Sequence, residues 1–405
     1  MNLTALMVAY WYPPRGGGGV QRTVKFAKYL PSYNIQPIVL CASGSSDKLR
    51  DTTYETANKV IRVPYREPGR MVGRLFEYVR FERHAGWVRP AIRAALQTAH
   101  AQGLDVVYST ASPYINHIIA RHVARELGLP WVADFRDLWT TNALYCARTA
   151  LLARRQRAFE SLCYRDATHI LATSPSQRRC IIEDFGVAPS KVSIITNGFD
   201  AADFKTDAKP ITLVPSNNNL VIGYFGSFYA TYRPDDLVLA LRLLALKKPA
   251  VLSNVQFLFV GDYDRGSLAT LTQPALRDFV KVSNYVPHAT LSNLRKKVQA
   301  NLLYLPRAGT NIKAMIPQKV FEYLASRKPI FAVVPESDVR DLLCKHKAAL
   351  IAPSGQPIAI AQQLEKFIAQ VRAGIAPRAQ GALTEYERYN LTGQLAEVLR
   401  GVAHA

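Results

Sequence analysis

The sequence lacks any run of about 18 apolar residues, the length a helix needs to cross a bilayer. No transmembrane segment is therefore expected. No basic region precedes the short apolar patch at the N-terminus, and no small-residue cleavage site follows it, so no secretory signal is expected either. Cysteine is sparse: Cys41, Cys146, Cys163, Cys180 and Cys344 are odd in number and scattered, with no Cys-x-x-Cys. That pattern excludes a disulfide framework and a thiolate metal site, and it fits a reducing, cytoplasmic setting. Two nucleotide-binding fingerprints are missing as well. There is no Gly-x-Gly-x-x-Gly with an acidic residue about 20 positions on, and no Gly-x-x-x-x-Gly-Lys-Ser/Thr. Acidic residues are few, 30 against 51 Lys and Arg, which gives a formal net charge of +21. An excess of that size points to nucleic acid, anionic lipid or phosphorylated small molecules as partners. The basic residues form no aromatic-interleaved patch and no recognisable nucleic-acid motif, so nucleic acid is not the expected partner.

At 405 residues the chain exceeds one ordinary core, and 49% hydrophobic with 20% charged residues is a globular composition. Apolar runs alternate with helical periodicity. Strands are expected at 35–41, 59–63, 104–110, 131–137, 169–174 and 192–196, with helices at 118–127, 148–165 and 176–185 between them. After a lapse at 199–219, rich in Asn, Pro and Ser, the alternation restarts at 220–226, 255–261, 280–283, 300–304 and 330–334. Strand–helix alternation predicts parallel, doubly wound sheets. The expected division is a first domain at 1–200, a linker at 201–218, a second domain at 219–382 and a last helical stretch at 383–405.

Two stretches stand out. The first is Leu6 to Leu30, where an apolar strand meets Pro13, Pro14 and four glycines, Gly16 to Gly19, before a helix begins. Glycines let a backbone approach a ligand closely, and a helix start offers free N–H groups to an anion. The second runs from Lys59 to Arg93, with nine Lys or Arg against three Glu. From about residue 70, Met71, Val72, Leu75, Phe76 and Val79 fall on one helical face and Arg70, Arg74 and Arg80 on the other. Such a helix can lie on an anionic membrane surface or pack on its own domain.

Taken together, the motifs resemble the GT-B glycosyltransferases, in particular the family 4-like, retaining, nucleotide-sugar-dependent group. The resemblance rests on five stretches in the family's order: Tyr12 to Leu30, Trp131 to Trp139, Val192 to Asp200, Ile222 to Ser227 and Pro317 to Ala325. It implies an α/β fold of two Rossmann-like doubly wound domains facing across a cleft, with the acceptor mainly on the first and the donor mainly on the second. The chain's end is implied to return to the first domain.

The resemblance also assigns residues. Glu322 matches the second glutamate of a Glu-x7-Glu pair, which accepts from the donor's ribose hydroxyls. The first would fall at Ala314. The start of the helix at Gln318 and Lys319 is implied to hold the distal phosphate. Arg233, seven residues after Gly226, falls where the family places a basic residue on the diphosphate, while Ser227 stands where an arginine is frequent. His117 resembles the first domain's histidine that approaches the donor sugar, although a self-satisfied helix histidine is an open alternative. Arg136 and Asp137 crowd a strand end as candidate catalytic residues, or as a structural Arg–Asp network. Gly17, Gly18 and Gly19 are implied to approach the donor diphosphate as a flexible lip. Asp262-Tyr-Asp264 imitates a metal-binding Asp-x-Asp but follows Gly261 at a strand end, and no metal is expected there. The implied activity is metal-independent transfer of a sugar from a UDP- or GDP-sugar to a glycan or lipid-linked acceptor in cell-surface polysaccharide synthesis. It needs no cofactor beyond that donor, and would take place at the cytoplasmic face of the membrane. A basic nucleic-acid-binding protein and another Rossmann-type nucleotide-dependent enzyme are the alternatives.

Overall fold

The computed structural model describes residues 2–43, 49–54, 59–66, 69, 71–73, 75, 82, 84–205, 219–229, 232–307 and 311–404. The chain divides into two compact units, one formed by Met1–Asn197 with Glu385–Ala405 and the other by Gly198–Thr384.

The first unit is built on seven parallel strands: β1 (Leu3–Val8), β2 (Ile35–Ser43), β3 (Lys59–Pro64), β4 (Val106–Thr110), β5 (Trp131–Asp134), β6 (His169–Ala172) and β7 (Val192–Ile194). Their order is β3-β2-β1-β4-β5-β6-β7. The strand order reverses between β1 and β4, and open parallel sheets bind ligands beyond the carboxyl ends of their strands at such a point. The central strands β1 and β4 are mostly apolar and, apart from Thr4, buried, as in sheets covered on both faces. Helix Gly18–Tyr29 follows β1 and buries Val20, Val24, Phe26 and Ala27. Asn34 takes a left-handed conformation (φ 55°) that turns the chain straight into β2.

The last helix, Arg388–Ala403, belongs to this first unit. Leu391, Leu395, Ala396 and Leu399 join the core formed by Val24, Phe26, Ala27 and Leu30. Full burial of each leucine is worth roughly 1.5–3 kcal/mol. The Tyr33 hydroxyl donates to the Tyr389 carbonyl at 3.0 Å, and Arg400 donates to the Tyr33 carbonyl.

The second unit repeats the plan with six parallel strands: β8 (Leu220–Phe225), β9 (Val255–Val260), β10 (Val280–Ser283), β11 (Ala300–Tyr304), β12 (Ile330–Val334) and β13 (Ala349–Pro353). Their order is β10-β9-β8-β11-β12-β13, so the reversal falls between β8 and β11. The turn Ala201–Phe204, within the stretch expected as linker, is attached here: Asp203 pairs with His288 at 3.0 Å. Among the described residues no helix is long and apolar enough to cross a membrane.

Candidate functional sites

In the first unit, the chain leaves β1 through Tyr10 and Tyr12, both buried, and enters the glycine run. Gly17 is the N-cap of helix Gly18–Tyr29, with φ 98° and ψ 164°, a backbone that residues with a Cβ rarely adopt. As a glycine, it gives this helix start no side-chain cap. Gly18 is exposed with open space where a Cβ would stand. The Gly19 carbonyl accepts from Arg136 Nη1 at 2.7 Å.

Arg136 follows β5 by two residues and ties several loops together. Besides Gly19, its guanidinium reaches Asp137 at 3.3 Å and the Ser112 carbonyl at 3.5 Å. Its own carbonyl accepts from Thr173 Oγ1 at 3.0 Å. The side chain is mostly covered, whereas that of Asp137 is 42% exposed. Arg136 thus fixes the glycine run, and Asp137 is the more open member of the pair.

Asp134 ends β5 inside the unit. It pairs with Arg22 at 2.7 and 3.1 Å, and both side chains are fully buried. Arg22 also donates to the carbonyls of Thr196 and Ile195 at 2.8 and 2.9 Å. The hydroxyls of Tyr108 and Thr110 donate to the same carboxylate at 2.5 and 3.2 Å. The network locks the first helix to β4, β5 and the end of β7.

His117 is the third residue of helix Ile115–Leu127 and is completely buried. Ser109 Oγ accepts from Trp131 Nε1 at 2.8 Å and lies 2.8 Å from His117 Nδ1. The Ser109 hydroxyl proton is then free for Nδ1, which leaves the imidazole proton on Nε2. Nε2 is buried with no hydrogen-bond partner among the described residues, and the ring lies 4.2 Å from that of Phe135. Burial pushes the pKa down to about 3, against the pull of Asp134, so the ring is neutral. The start of this helix is already occupied, because the Glu82 carboxylate accepts from the amides of Tyr114 and Ile115 at 3.0 and 2.7 Å. Arg70, Arg74 and Arg80 lie outside the described residues. Met71, Val72 and Leu75 are described, and all three are exposed.

In the second unit, β8 leads into Gly226 and Ser227, hard against Gly261 just after β9. A Cβ on Gly261 would overlap the Gly226 carbonyl. Ser227 Oγ accepts from the Asp262 amide at 3.3 Å. A Cβ on Gly226 would collide with the Lys319 ammonium. Lys319 opens helix Lys319–Ser326, with Gln318 as its N-cap residue. Its Nζ sits 3.9 Å from the centre of the Tyr224 ring. Burial, with Arg295 nearby, lowers its pKa to about 7, while Glu322 works the other way.

Glu322 follows one turn later on the same helix. One carboxylate oxygen pairs with Arg295 Nη2 at 2.6 Å. The other has no partner among the described residues. Lys319, Glu322, Gly226 and Ser227 therefore gather at the carboxyl end of β8, beside the reversal point of this sheet. Arg233 is engaged elsewhere: it binds Asp235 at 2.9 and 3.1 Å and Thr270 Oγ1 at 3.0 Å. Ala314 is buried in the short turn Ile312–Ala314. Asp264 accepts from the Ser267 amide at 2.7 Å as the cap of helix Arg265–Leu271.

Arg295 escaped sequence reasoning. It sits among Arg295, Lys296 and Lys297, where a run of cations reads as a solvated helix end, and only the fold turns the first of them inward. The Glu82 carboxylate was equally hidden, being more than 30 residues from the amides it binds.

The HepE protein of Anabaena, solved in complex with UDP and glucose, superposes with a TM-score of 0.68 at 17% identity, covering 98% of this chain and 100% of that one. The fold is that of the GT-B glycosyltransferases. Sucrose-phosphate synthase from Thermosynechococcus elongatus shares this GT-B fold at a TM-score of 0.68 and 12% identity, over 98% of both chains. A UDP-GlcNAc 2-epimerase from Neisseria meningitidis, bound to UDP-GlcNAc, matches at 0.57 and 11% identity, over 98% of this chain and 100% of that one. Residues 17–198 match the glycosyl transferase 4-like domain family. No curated protein matches the sequence.

Proposed function

We propose that the protein is a retaining glycosyltransferase that moves a sugar from a UDP- or GDP-sugar to a hydroxyl of a glycan or lipid-linked acceptor. The observation that carries this reading is the group Gly226, Ser227, Lys319 and Glu322 at the carboxyl end of β8. A nucleoside diphosphate needs a cation and free amides for its phosphates and a carboxylate for its ribose hydroxyls. The cation is Lys319, which opens the helix with its own amide, and the carboxylate is Glu322 one turn on. The match of residues 17–198 to a glycosyltransferase family supports transfer, and the likeness to a structure solved with UDP supports the donor class.

In this reading the bond between the sugar's anomeric carbon and the diphosphate oxygen breaks. The acceptor oxygen then bonds to that carbon from the same face. The acceptor's proton leaves to the departing phosphate oxygen. Lys319, through its ammonium and its backbone amide at the helix start, stabilises the charge that develops on the leaving group. These groups are fixed before reaction, which makes them effective without a metal ion. Glu322 holds the ribose through its free oxygen. Gly17, Gly18 and Gly19, fixed by Arg136, offer amides to the donor, and the open carboxylate of Asp137 is a candidate contact for the acceptor. His117, neutral and enclosed, offers an uncharged Nε2–H donor. Arg233 contributes to the diphosphate only by exchanging its Asp235 pairing for it.

The acceptor's setting follows from charge. Met71, Val72 and Leu75 are exposed in a segment rich in arginine, which supports association with an anionic membrane face. Sedimentation with vesicles containing anionic lipid tests this, and a protein that stays in the supernatant at low salt contradicts it.

Incubation with UDP- and GDP-sugars and membrane-extracted acceptors tests the enzymatic reading. Acceptor-dependent release of UDP or GDP that survives EDTA is expected. A second reading is favoured by the epimerase likeness: inversion of the donor sugar without any acceptor. Conversion of a UDP-sugar to its epimer in the absence of acceptor would replace the first reading with this one.

A further inference from the structure

Helix His288–Lys297 carries Arg295 into the interior, where most arginines do not go. Its Nη2 lies 2.6 Å from the Glu322 carboxylate, and each side chain is only 8% exposed. The guanidinium carbon stands 5.5 Å from the centre of the Phe225 ring, at the end of β8. Nε is buried with no hydrogen-bond partner among the described residues. Arg295 is therefore held by one ion pair and one aromatic face.

A buried ion pair is weak support for stability, because apolar residues of similar size do as well. What it does supply is direction. A glutamate carboxylate has three rotatable bonds between it and the backbone and, alone, would turn toward water or toward Lys319 three residues earlier. The pairing with Arg295 takes up one oxygen and leaves the other free. We infer that Arg295 is a positioning residue of the donor site, whose ion pair holds the Glu322 carboxylate in the orientation that accepts the ribose hydroxyls. The inference rests on the donor reading given above.

The test compares UDP with 2′,3′-dideoxy-UDP, or the guanosine pair if GDP binds tighter, by calorimetry on the full chain. Wild-type protein is expected to favour the hydroxylated nucleotide tenfold or more. Glu322→Gln should reduce that preference to under threefold. Arg295→Met should do the same while leaving affinity for the dideoxy nucleotide within about threefold of wild type, which a general loosening of the fold would not. Arg295→Lys keeps a cation without the planar fork, and an intermediate preference is expected. If Arg295→Met does not fold, Arg295→Lys carries the test alone. An undiminished hydroxyl preference in a folded Arg295 variant overturns the positioning role and leaves the donor reading standing. Wild-type protein that binds neither UDP nor GDP overturns both.

Discussion

The Lys319 ammonium occupies the space that a side chain at Gly226 would need, 3.9 Å from the centre of the Tyr224 ring. Two glycines at the ends of neighbouring strands are thereby distinguished. At Gly226 the obstacle is the flexible end of a lysine, so Gly226→Ala should displace Lys319 and, at φ 156°, also strain the backbone. At Gly261 the obstacle is the Gly226 backbone, which cannot step aside. Overpacking of that kind costs about 1–3 kcal/mol or more. Both variants should lower the melting temperature, Gly261→Ala by several degrees more, and Gly226→Ala should in addition weaken UDP or GDP about tenfold. Thermal melts with and without nucleotide separate the two, and equal melting temperatures for both variants would contradict the close approach.

Diphosphate affinity should depend on pH through Lys319. With its pKa lowered to about 7, Lys319 is charged below pH 7 and neutral above it. Affinity is expected to hold from pH 6 to 7 and to fall up to about tenfold per unit above that. His117, with a pKa near 3, should add no limb between pH 6 and 7. The same burial makes the charge costly to the fold. The folded-state pKa lies below the ordinary 10.5, so the unfolded chain binds the proton more tightly and stability rises between about pH 7 and 10.5. Lys319→Met should therefore raise the melting temperature at pH 7 while abolishing the pH dependence of nucleotide binding.

Arg22 and Asp134 form a wholly buried pair, and removing one partner leaves an uncompensated charge. Such a loss costs about 3–5 kcal/mol. Asp134→Ala should unfold at markedly lower urea concentration. Asp137→Ala, at the exposed side chain three residues on, should shift the midpoint little. A similar midpoint for both variants would show that the buried network does not hold the first unit together.

Gly18 has open space around it at a helix start, so Gly18→Ala meets no clash within its own unit. Its melting temperature should equal or exceed that of the wild type. If the glycine run approaches the donor during turnover, kcat should nevertheless fall several-fold while nucleotide affinity changes little. Unaltered kcat would remove the run from the reaction.

Much of this architecture is legible in the sequence, for identifiable reasons. Buried parallel strands such as Val255–Val260, apolar but for Gln256, and Ile330–Val334 are found within a residue of where they were expected. Strand β13 was not, because Ala349–Pro353 is half exposed and ends in proline, which gives no contrast with its surroundings. Helix Val88–Gln102 was missed for a related reason: its buried face is alanine and threonine, and Pro90 sits in its first turn. The expected strand at 131–137 stops at Asp134, where the carboxylate turns inward to Arg22. Short motifs made Glu322 and Lys319 candidates, whereas Arg295 and Glu82 became visible only through contacts between segments far apart in the chain.

Titration of UDP and GDP into the wild-type protein and into Glu322→Ala is the most direct measurement of whether a nucleotide-sugar donor sits at the start of helix Lys319–Ser326. One of the two nucleotides should bind with a micromolar Kd, unaffected by EDTA, and Glu322→Ala should weaken it at least tenfold without loss of fold. Wild-type affinity in Glu322→Ala, or no binding of either nucleotide, would contradict a donor site there.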